Sequence, residues 1–230
     1  MSDIIAGIFA AGKGERLKKD FPDTPKPLIK VGEKTLIEYA LDNLLKLNPK
    51  DFGILLNPES RPKIIKYLKE KKYSFKYVMF DSKTSFESFY TLSNFLKEKD
   101  KTVILSTVDT ILNHKDLKEL LETHIKNKSY MTLGITEEIN DEKPLLVEID
   151  KNSETIKSIG KSGHYATNGI YVLSHQAITD IKPQKFKALR EFLSSIDFEK
   201  LKVTYHIIKE SLDIDEISDI ELAFKKIDKF

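Results

Sequence analysis

A glycine-containing segment with two basic residues stands near the start of the chain. It reads AAGKGER from Ala10 to Arg16 and directly follows an apolar run. Gly12 and Gly14 allow the backbone to approach a ligand closely and to adopt positive φ angles, and consecutive N–H groups in such a turn can surround an anion. Lys13 and Arg16 add full positive charges. The segment therefore predicts a phosphate-binding loop, with an ordinary turn after a strand as the alternative interpretation.

Two common nucleotide-binding motifs do not fit this loop. A dinucleotide fingerprint has a third glycine at the position where this chain has Leu17. A P-loop continues Gly-Lys with Ser or Thr, whereas Lys13 is followed by Gly14. The loop thus indicates phosphate binding of another kind.

A lysine between two prolines follows the loop after a short insert. The segment is Pro25-Lys26-Pro27-Leu28, and Pro27 disfavours the helical conformation for the residue before it. We therefore expect Lys26 on a rigid, extended segment close to the glycine loop. The alternative is a surface lysine in a proline turn.

The combination resembles the sugar-nucleotide pyrophosphorylases, a nucleotidyltransferase family. Their chains open with a strand, Ala-Ala-Gly-x-Gly-x-Arg, a variable insert, Pro-Lys-Pro-Leu and an apolar helix beginning near Leu-Ile-Glu, which here is Leu36-Ile37-Glu38. The resemblance is specific over residues 4–41 and continues more diffusely along the chain. It implies a Rossmann-like α/β fold, the nucleotide-diphospho-sugar transferase fold, with a mixed, mostly parallel sheet and helices on both faces.

The same resemblance implies an activity and roles for the first motifs. The family transfers a nucleotidyl group from an NTP to a phosphorylated acceptor, here expected to be a sugar-1-phosphate, and releases pyrophosphate. Arg16 would neutralise charge on the pyrophosphate, and Lys26 would orient the reacting phosphates. The residues implied in nucleotide binding are Ala10, Ala11, Gly12, Lys13, Gly14 and Arg16.

Such a transfer usually involves a divalent ion, which prefers carboxylate oxygens, and Mg²⁺ is the expected cofactor. Asp109 follows an apolar run and matches the family's first metal-binding aspartate, with a turn or helix-cap residue as the alternative. Asp213 and Asp215 match the acidic segment that ends many members. Being two residues apart, they point to the same side of an extended chain, so either one qualifies as the second ligand.

The acceptor pocket is expected in the second half of the chain. Asn168 and Gly169 lie in a segment that resembles the family's Asn/Ala-Gly-Ile-Tyr strand, where they would bond acceptor hydroxyls and leave room for a ring. An ordinary strand with a glycine is the alternative. Lys161 lies near the position of a lysine that contacts the acceptor phosphate, although the usual Glu-Lys-Pro is absent around it.

One departure from the family's sequence pattern leaves the identity of the substrate undecided. The segment Thr84–Tyr90 stands where many members have a Gly-Thr-Ala-like sequence that reads the base, and Phe86, Phe89 and Tyr90 within it are expected in the core. The segment is more similar to members that act on small alcohol phosphates. A cytidylyltransferase for a compound such as phosphocholine is therefore one alternative, and a non-catalytic protein that binds nucleotide sugars is another.

The elements expected to position these residues alternate along the first half of the chain. Apolar runs at residues 4–9, 52–57, 75–80 and 103–108 predict strands, and residues 36–47, 61–71 and 86–96 have helical spacing. The second half adds strands near 130–136, 145–150, 155–160, 165–173 and 203–208, with helices near 186–196 and 217–227. This order predicts a parallel sheet extended by mixed or antiparallel strands.

Composition narrows the class of protein. The 230 residues contain 38 Lys and Arg against 36 Asp and Glu, a balance that argues against a nucleic-acid-binding protein. The absence of Cys excludes thiolate metal sites and a cysteine nucleophile. No run is long enough to cross a membrane. We expect one cytoplasmic domain over residues 1–230, with an NTP and a phosphorylated small molecule as partners and a homodimer as the assembly, where one forms.

Overall fold

The computed structural model describes residues 4–139, 143–183 and 186–227. Its strands, in chain order, are β1 Ile4–Ala10, β2 Lys30–Val31, β3 Lys34–Thr35, β4 Asp51–Leu56, β5 Lys76–Met79, β6 Thr102–Thr107, β7 Thr110–Leu112, β8 Met131–Thr136, β9 Leu146–Asp150, β10 Thr155–Gly160, β11 Tyr165–Leu173, β12 Val203–Ile207 and β13 Ser211–Asp213. Its α-helices are α1 Leu36–Leu45, α2 Arg61–Glu70, α3 Ser85–Phe95, α4 His114–Asn127, α5 His175–Asp180, α6 Leu189–Ser194 and α7 Ile217–Lys226. Leu17–Lys19 and Lys26–Leu28 form single 3₁₀ turns.

Within the described ranges, nine strands form one mixed sheet in the order β5-β4-β1-β6-β11-β8-β12-β10-β9. The first four strands of this order run parallel to one another. β11 runs antiparallel to both of its neighbours, β6 and β8, and β12 runs parallel to β8. The predicted mixed α/β fold is confirmed, with antiparallel pairings contributed by the second half of the chain.

Strand β1, which lies between β4 and β6 in the sheet, is apolar on both of its sides because helices cover both faces of the sheet. Ile5 packs in one apolar layer together with side chains of α3, α5 and α6. Ile4, Ala6 and Ile8 pack in the opposite layer, with α1, α2 and α4. This arrangement leaves the carboxyl ends of the parallel strands open to a ligand.

A small antiparallel ribbon formed by β7 and β13 stands apart from the main sheet. Asp213 lies opposite Thr110 in this ribbon, and its apolar side chains pack with α7. β7 starts one residue after Asp109, and β13 ends two residues before Asp215. The ribbon therefore brings two distant acidic segments together near the carboxyl end of β6.

Glu38 on α1 binds the start of its own helix and also connects α1 to α2. The backbone N–H of Thr35 donates to its carboxylate at 2.8 Å, as does the hydroxyl of Tyr67, and the Lys71 ammonium lies 3.0 Å away. Burial opposes ionisation of Glu38, but these donors outweigh burial and lower its pKa to about 2. The carboxylate thus stays charged in the folded protein.

Most predicted elements are present, with boundaries that differ by a few residues. The helix predicted at 186–196 is shorter, since α6 covers only Leu189–Ser194. α4, α5 and the β7–β13 ribbon were not predicted. The expectation of one domain over residues 1–230 extends to residues 1–3, 140–142, 184–185 and 228–230, which lie outside the described residues, and it stays a prediction.

No helix in the described part of the chain combines the length and the apolar character that a membrane span requires.

Candidate active site

A cavity of about 770 Å³ opens beside the carboxyl ends of β1, β5 and β6. In open α/β sheets this edge is where ligands bind. The glycine loop, the β5–α3 connection and the β6–β7 connection form most of its wall. The lining residues are Phe9, residues 11–16, Lys26, residues 81–85, Ser88, Phe89, residues 107–109, Tyr171, Leu189 and Asp215.

The glycine loop lies along one wall of the cavity, and its two glycines differ. Gly14 has a φ of +60°, and a Cβ added to it would lie 2.8 Å from the Cβ of Lys26. Gly12 has no positive φ, and a Cβ there would meet open space. The expectation of a positive φ is therefore correct for Gly14 and wrong for Gly12, where the open space instead leaves the backbone accessible to a ligand.

Lys26 lies against the glycine loop, as expected, but not on an extended segment. It begins the 3₁₀ turn Lys26–Leu28, in which the N–H of Ile29 donates to the carbonyl of Lys26 at 3.1 Å. The extended prediction was wrong because a single 3₁₀ turn needs no N–H from Pro27, so the proline is compatible with it.

The ammonium of Lys26 is held between two carboxylates. It donates to Oδ2 of Asp109 at 2.6 Å and to Oδ1 of Asp215 at 2.5 Å. These partners are 83 and 189 residues away in the chain. Burial of the lysine, which is 8% exposed, opposes the charged form, but the two carboxylates outweigh burial and raise its pKa. Three sequence-predicted site residues therefore meet at the cavity wall.

Asp213 ends β13 and is not among the residues that line the cavity. The residue is exposed, yet the protein atoms around its carboxyl group desolvate that group. This desolvation, together with the negative charges of Asp109 and Asp215, raises the pKa of Asp213 to about 8.

The carboxylate oxygens of this group are of the type that a divalent cation prefers. Asp109 and Asp215 bind the single ammonium of Lys26, and Asp213 lies close enough for their negative charges to raise its pKa further after burial. Mg²⁺ takes oxygen ligands and is commonly held by one or two carboxylates together with substrate phosphates. Asp109 and Asp215, both of which line the cavity, are therefore suitable in type for Mg²⁺ that also binds substrate phosphates.

Two further basic residues of the glycine loop line the cavity. Lys13 and Arg16 are exposed, and neither forms an ion pair with an acidic residue within the described residues. Arg16 stands immediately before the 3₁₀ turn Leu17–Lys19. Both cations are therefore available to an anionic ligand.

The opposite wall is formed by residues 81–85, between β5 and α3. The Thr84 hydroxyl caps α3 by accepting from the N–H of Glu87 at 3.1 Å. The hydroxyl oxygen of Ser82 is buried and has no hydrogen-bond partner among the described residues. Sequence reasoning singled out Thr84–Tyr90 but gave Asp81, Ser82 and Lys83 no site role, although their position after a parallel strand was a usable signal.

An aromatic pair forms the floor of the cavity. The ring of Phe89 meets the ring of Tyr171 edge-on, with centroids 5.4 Å apart. Phe89 is fully buried, as the sequence predicted, and also contacts the cavity. Burial, followed by the charges of Asp109 and Asp213, raises the pKa of Tyr171, so its hydroxyl stays protonated near the acidic group.

Two predicted site residues lie away from the cavity lining. Ala10 is buried at the end of β1, one residue before the part of the loop that lines the cavity. Lys161 is exposed immediately after β10. The structure does not bring Lys161 to the cavity wall.

Asn168 and Gly169 lie one layer behind the wall. The amide nitrogen of Asn168 donates to the hydroxyl of Ser211 at 2.8 Å, and its amide oxygen is buried without a partner among the described residues. Gly169 has a φ of +74°, and a Cβ there would lie 2.7 Å from the hydroxyl of Thr107, a lining residue. In this arrangement neither residue lines the cavity, and Gly169 packs against Thr107, which does.

Comparison with known proteins agrees with this geometry. A family model described as "Nucleotidyl transferase" matches residues 5–227. Among curated proteins, the bifunctional protein GlmU of Clostridium botulinum (strain 657 / Type Ba4) is 29% identical over 127 residues, which are 55% of this chain and 27% of GlmU. The aligned part thus spans about a quarter of the length of that relative.

Two solved structures share the fold over nearly the full chain. The inositol-1-phosphate CTP transferase from T. maritima has a TM-score of 0.81 at 19% identity and covers 100% of this chain and 98% of its own. A putative glucose-1-phosphate thymidylyltransferase from Bacillus anthracis has a TM-score of 0.82 at 18% identity, covering 99% and 96%. At this level of identity the likeness shows a common fold.

Proposed function

Because the chain belongs to the nucleotidyl transferase family, we propose that it transfers a nucleotidyl group from an NTP to a phosphorylated small molecule and releases pyrophosphate. The observation that carries the proposal is the convergence of Lys26, Asp109 and Asp215 at a cavity that the glycine loop also lines. The proposed acceptor is a sugar-1-phosphate. In support, two proteins of the same fold are named for glucose-1-phosphate and inositol-1-phosphate, each a single phosphate on a six-membered ring.

The triphosphate is proposed to bind along the glycine loop. Gly12 has open space where a Cβ would stand, and Lys13 and Arg16 offer positive charges that form no ion pair within the described part of the chain. Arg16 stabilises the negative charge that grows on the departing pyrophosphate, and Lys13 holds the chain of phosphates. Ala10 ends β1 and Ala11 follows it, so these two residues would position the start of the loop.

In the transfer, an oxygen of the acceptor phosphate attacks the α-phosphorus of the NTP while the bond from the α-phosphorus to the pyrophosphate oxygen breaks. No covalent intermediate with the protein is needed, so the side chains act by positioning and by electrostatic stabilisation. Lys26 orients the reacting phosphates from the cavity wall. Mg²⁺, held by Asp109 with Asp213 or Asp215, would supply further neutralisation of phosphate charge.

The assignment of the acceptor-binding residues rests on the family resemblance. Asn168 and Gly169 lie behind the wall beside Thr107, and Lys161 is outside it, so their contacts to the acceptor stay predictions. We also propose a cytoplasmic location, where NTPs are available. The homodimer stays a prediction.

Pyrophosphate release tests the activity and the substrate together. We would measure it for each of the common NTPs against a set of sugar-1-phosphates, inositol-1-phosphate and phosphocholine, with Mg²⁺ and with a chelator. We expect one NTP and one ring phosphate to give turnover that the chelator abolishes. Turnover with phosphocholine alone would favour the small-alcohol alternative, and binding without turnover for every pair would favour a non-catalytic protein.

The carboxylates are tested by substitution. Asp109→Ala is expected to lower kcat/KM by at least about 100-fold while the protein stays folded. Comparing Asp213→Asn with Asp215→Asn identifies the second metal ligand, because only the ligand's loss raises the Mg²⁺ concentration needed for half-maximal rate. Near-normal turnover in Asp109→Ala would contradict the role of that residue.

A further inference from the structure

A second cluster of metal-ligating side chains lies outside the cavity. Asp116 and Glu119 stand one turn apart on α4, and His206 projects from β12 towards them. One donor atom from each residue falls within 4.8 Å of the other two. The side chains of Asp116 and His206 are largely buried, at 13% and 15% exposure, so the cluster is partly sheltered from water.

The spacing of the donor atoms matches a small tetrahedral ion. Nε2 of His206 is 3.0 Å from Asp116 Oδ1 and 3.7 Å from Glu119 Oε2. A tetrahedral ion with bonds of about 2.1 Å holds its ligand atoms about 3.4 Å apart, between these two values. These two distances are therefore close to the separation that such an ion requires.

The charges of the cluster also favour a cation. Two carboxylates face one imidazole, and Lys115, whose side chain is 80% exposed, lies 3.8 Å from Glu119. One imidazole with two carboxylates is a donor set of the kind that Zn²⁺ and related transition-metal ions accept, with water completing the coordination.

The cluster stands where both strands of the ribbon join the rest of the molecule. β7 begins one residue after Asp109 and leads into α4 within two residues, and β12 leads into β13, which ends two residues before Asp215. Asp116 and His206 therefore lie at the base of the ribbon, one on each side. An ion at this point would join α4 to β12 and fix the base of the segment that carries the acidic group of the cavity.

We propose that Asp116, Glu119 and His206 form a structural binding site for a divalent transition-metal ion of the Zn²⁺ class. This site is separate from the proposed Mg²⁺ site and does not depend on the proposed function. It stabilises the junction of α4, β12 and the ribbon.

The test uses Co²⁺ as a spectroscopic probe on the full chain after removal of metals with a chelator. We expect one equivalent of Co²⁺ to produce visible absorption of the tetrahedral type, and one equivalent of Zn²⁺ to displace it. Zn²⁺ is also expected to raise the Tm by about 2–4 °C. A protein that shows no such absorption and no rise in Tm would overturn the proposal.

Variants locate the ion. His206→Ala and Glu119→Gln are each expected to weaken Co²⁺ binding by at least about tenfold. Glu119 is the more exposed partner, so its variant keeps the test valid if His206→Ala fails to fold. His164→Ala is the matched control because His164 is exposed and outside the cluster, and Asp109→Asn controls for the cavity carboxylates. Absorption that persists in Glu119→Gln and His206→Ala, or that disappears in Asp109→Asn, would place the ion elsewhere and overturn the assignment.

Discussion

At the scale of single residues, Lys26 has the most constrained surroundings in the site. Its ammonium is buried, donates to both Asp109 and Asp215, and sits on a 3₁₀ turn that packs against Gly14. A charged group in such a place is held by its partners, since removing one of them leaves the others uncompensated. The same constraint makes Lys26 suitable for holding a reacting phosphate.

Lys26→Ala is expected to reduce kcat/KM by at least about 100-fold, because a positioned cation next to the phosphates contributes roughly 3 kcal/mol to transition-state stabilisation. Pyrophosphate release measures the rate, and circular dichroism checks the fold. Lys30→Ala is the matched control, since Lys30 is an exposed lysine four residues away. A Lys26→Ala enzyme that turns over as fast as the control would refute the role of this residue.

The two glycines of the loop give a paired prediction. Gly14→Ala is expected to cost about 1–2 kcal/mol in unfolding free energy because of the left-handed backbone, and to displace Lys26. Gly12→Ala is expected to leave stability unchanged and to raise the KM for the NTP, since the new methyl group projects into open space. Urea unfolding and steady-state kinetics separate the two effects. Equal stability losses in both variants would contradict the distinction.

Residue types near strand ends were enough to predict part of the site. Lys26, Asp109 and the acidic pair on either side of Ile214 follow motifs whose spacing is local. The 3₁₀ turn of Lys26 was not predictable because proline excludes it no more than it excludes an extended segment. Lys161 does not line the cavity. Its position depends on where β10 ends in the folded chain, which local sequence does not determine.

At the scale of elements, the β7–β13 ribbon decides whether the acidic residues meet. Its strands have three residues each, and the N–H of Ile214 donates to the carbonyl of Asp109 at 3.1 Å. Buried Leu212 joins the ribbon to α7. The packing of this one side chain therefore influences the position of Asp215.

Leu212→Ala is expected to lower the unfolding free energy by about 2–4 kcal/mol and to raise the Mg²⁺ concentration for half-maximal rate several-fold. Leu68→Ala, at a buried position on α2, is the matched control: it should lose similar stability without changing the Mg²⁺ requirement. Denaturant unfolding and Mg²⁺ titration of the rate measure both. The same Mg²⁺ requirement in the two variants would show that the ribbon does not position the site.

The elements differed in how far the sequence could predict them. α4 has buried residues Leu117, Leu120 and Leu121 at helical spacing, so its pattern was present in the sequence even though it was not identified. The ribbon could not be predicted in the same way. Its three-residue strands are too short for a periodic signal, and their pairing joins residues about a hundred positions apart.

At the scale of the whole molecule, the sheet order places the cavity beside the carboxyl ends of the parallel strands. The parallel strands were predictable from alternating patterns, whereas the insertion of antiparallel β11 between β6 and β8 was not. That order depends on contacts between remote segments, which no local pattern contains. The fold class was therefore predictable, but the neighbours of each strand in the second half were not.

Global stability should depend on pH through Glu38. Its pKa is lowered from 4.5 to about 2 on folding, so the stability it contributes is fully present above about pH 4.5 and is lost as the pH falls towards about 2. Glu38→Gln is expected to cost about 2 kcal/mol at neutral pH, with the difference from the wild type shrinking in acid. Urea unfolding at several pH values measures this.

The control for that experiment is Glu33→Gln, because Glu33 is exposed in the turn between β2 and β3. It should change stability little at any pH. A Glu38→Gln protein whose loss of stability stays constant from neutral to strongly acidic pH would contradict the assigned linkage.

The pairing of Lys26 with Asp109 and Asp215 also has a consequence for the resting protein. Both carboxylates already have an internal counter-ion, so a free dication gains little by entering alone. Lys26 can leave them at low cost only when phosphate groups arrive to receive it. Charge is therefore expected to set the order of binding. Nucleotide and dication should bind as one complex, and the protein without nucleotide should have little affinity for Mg²⁺.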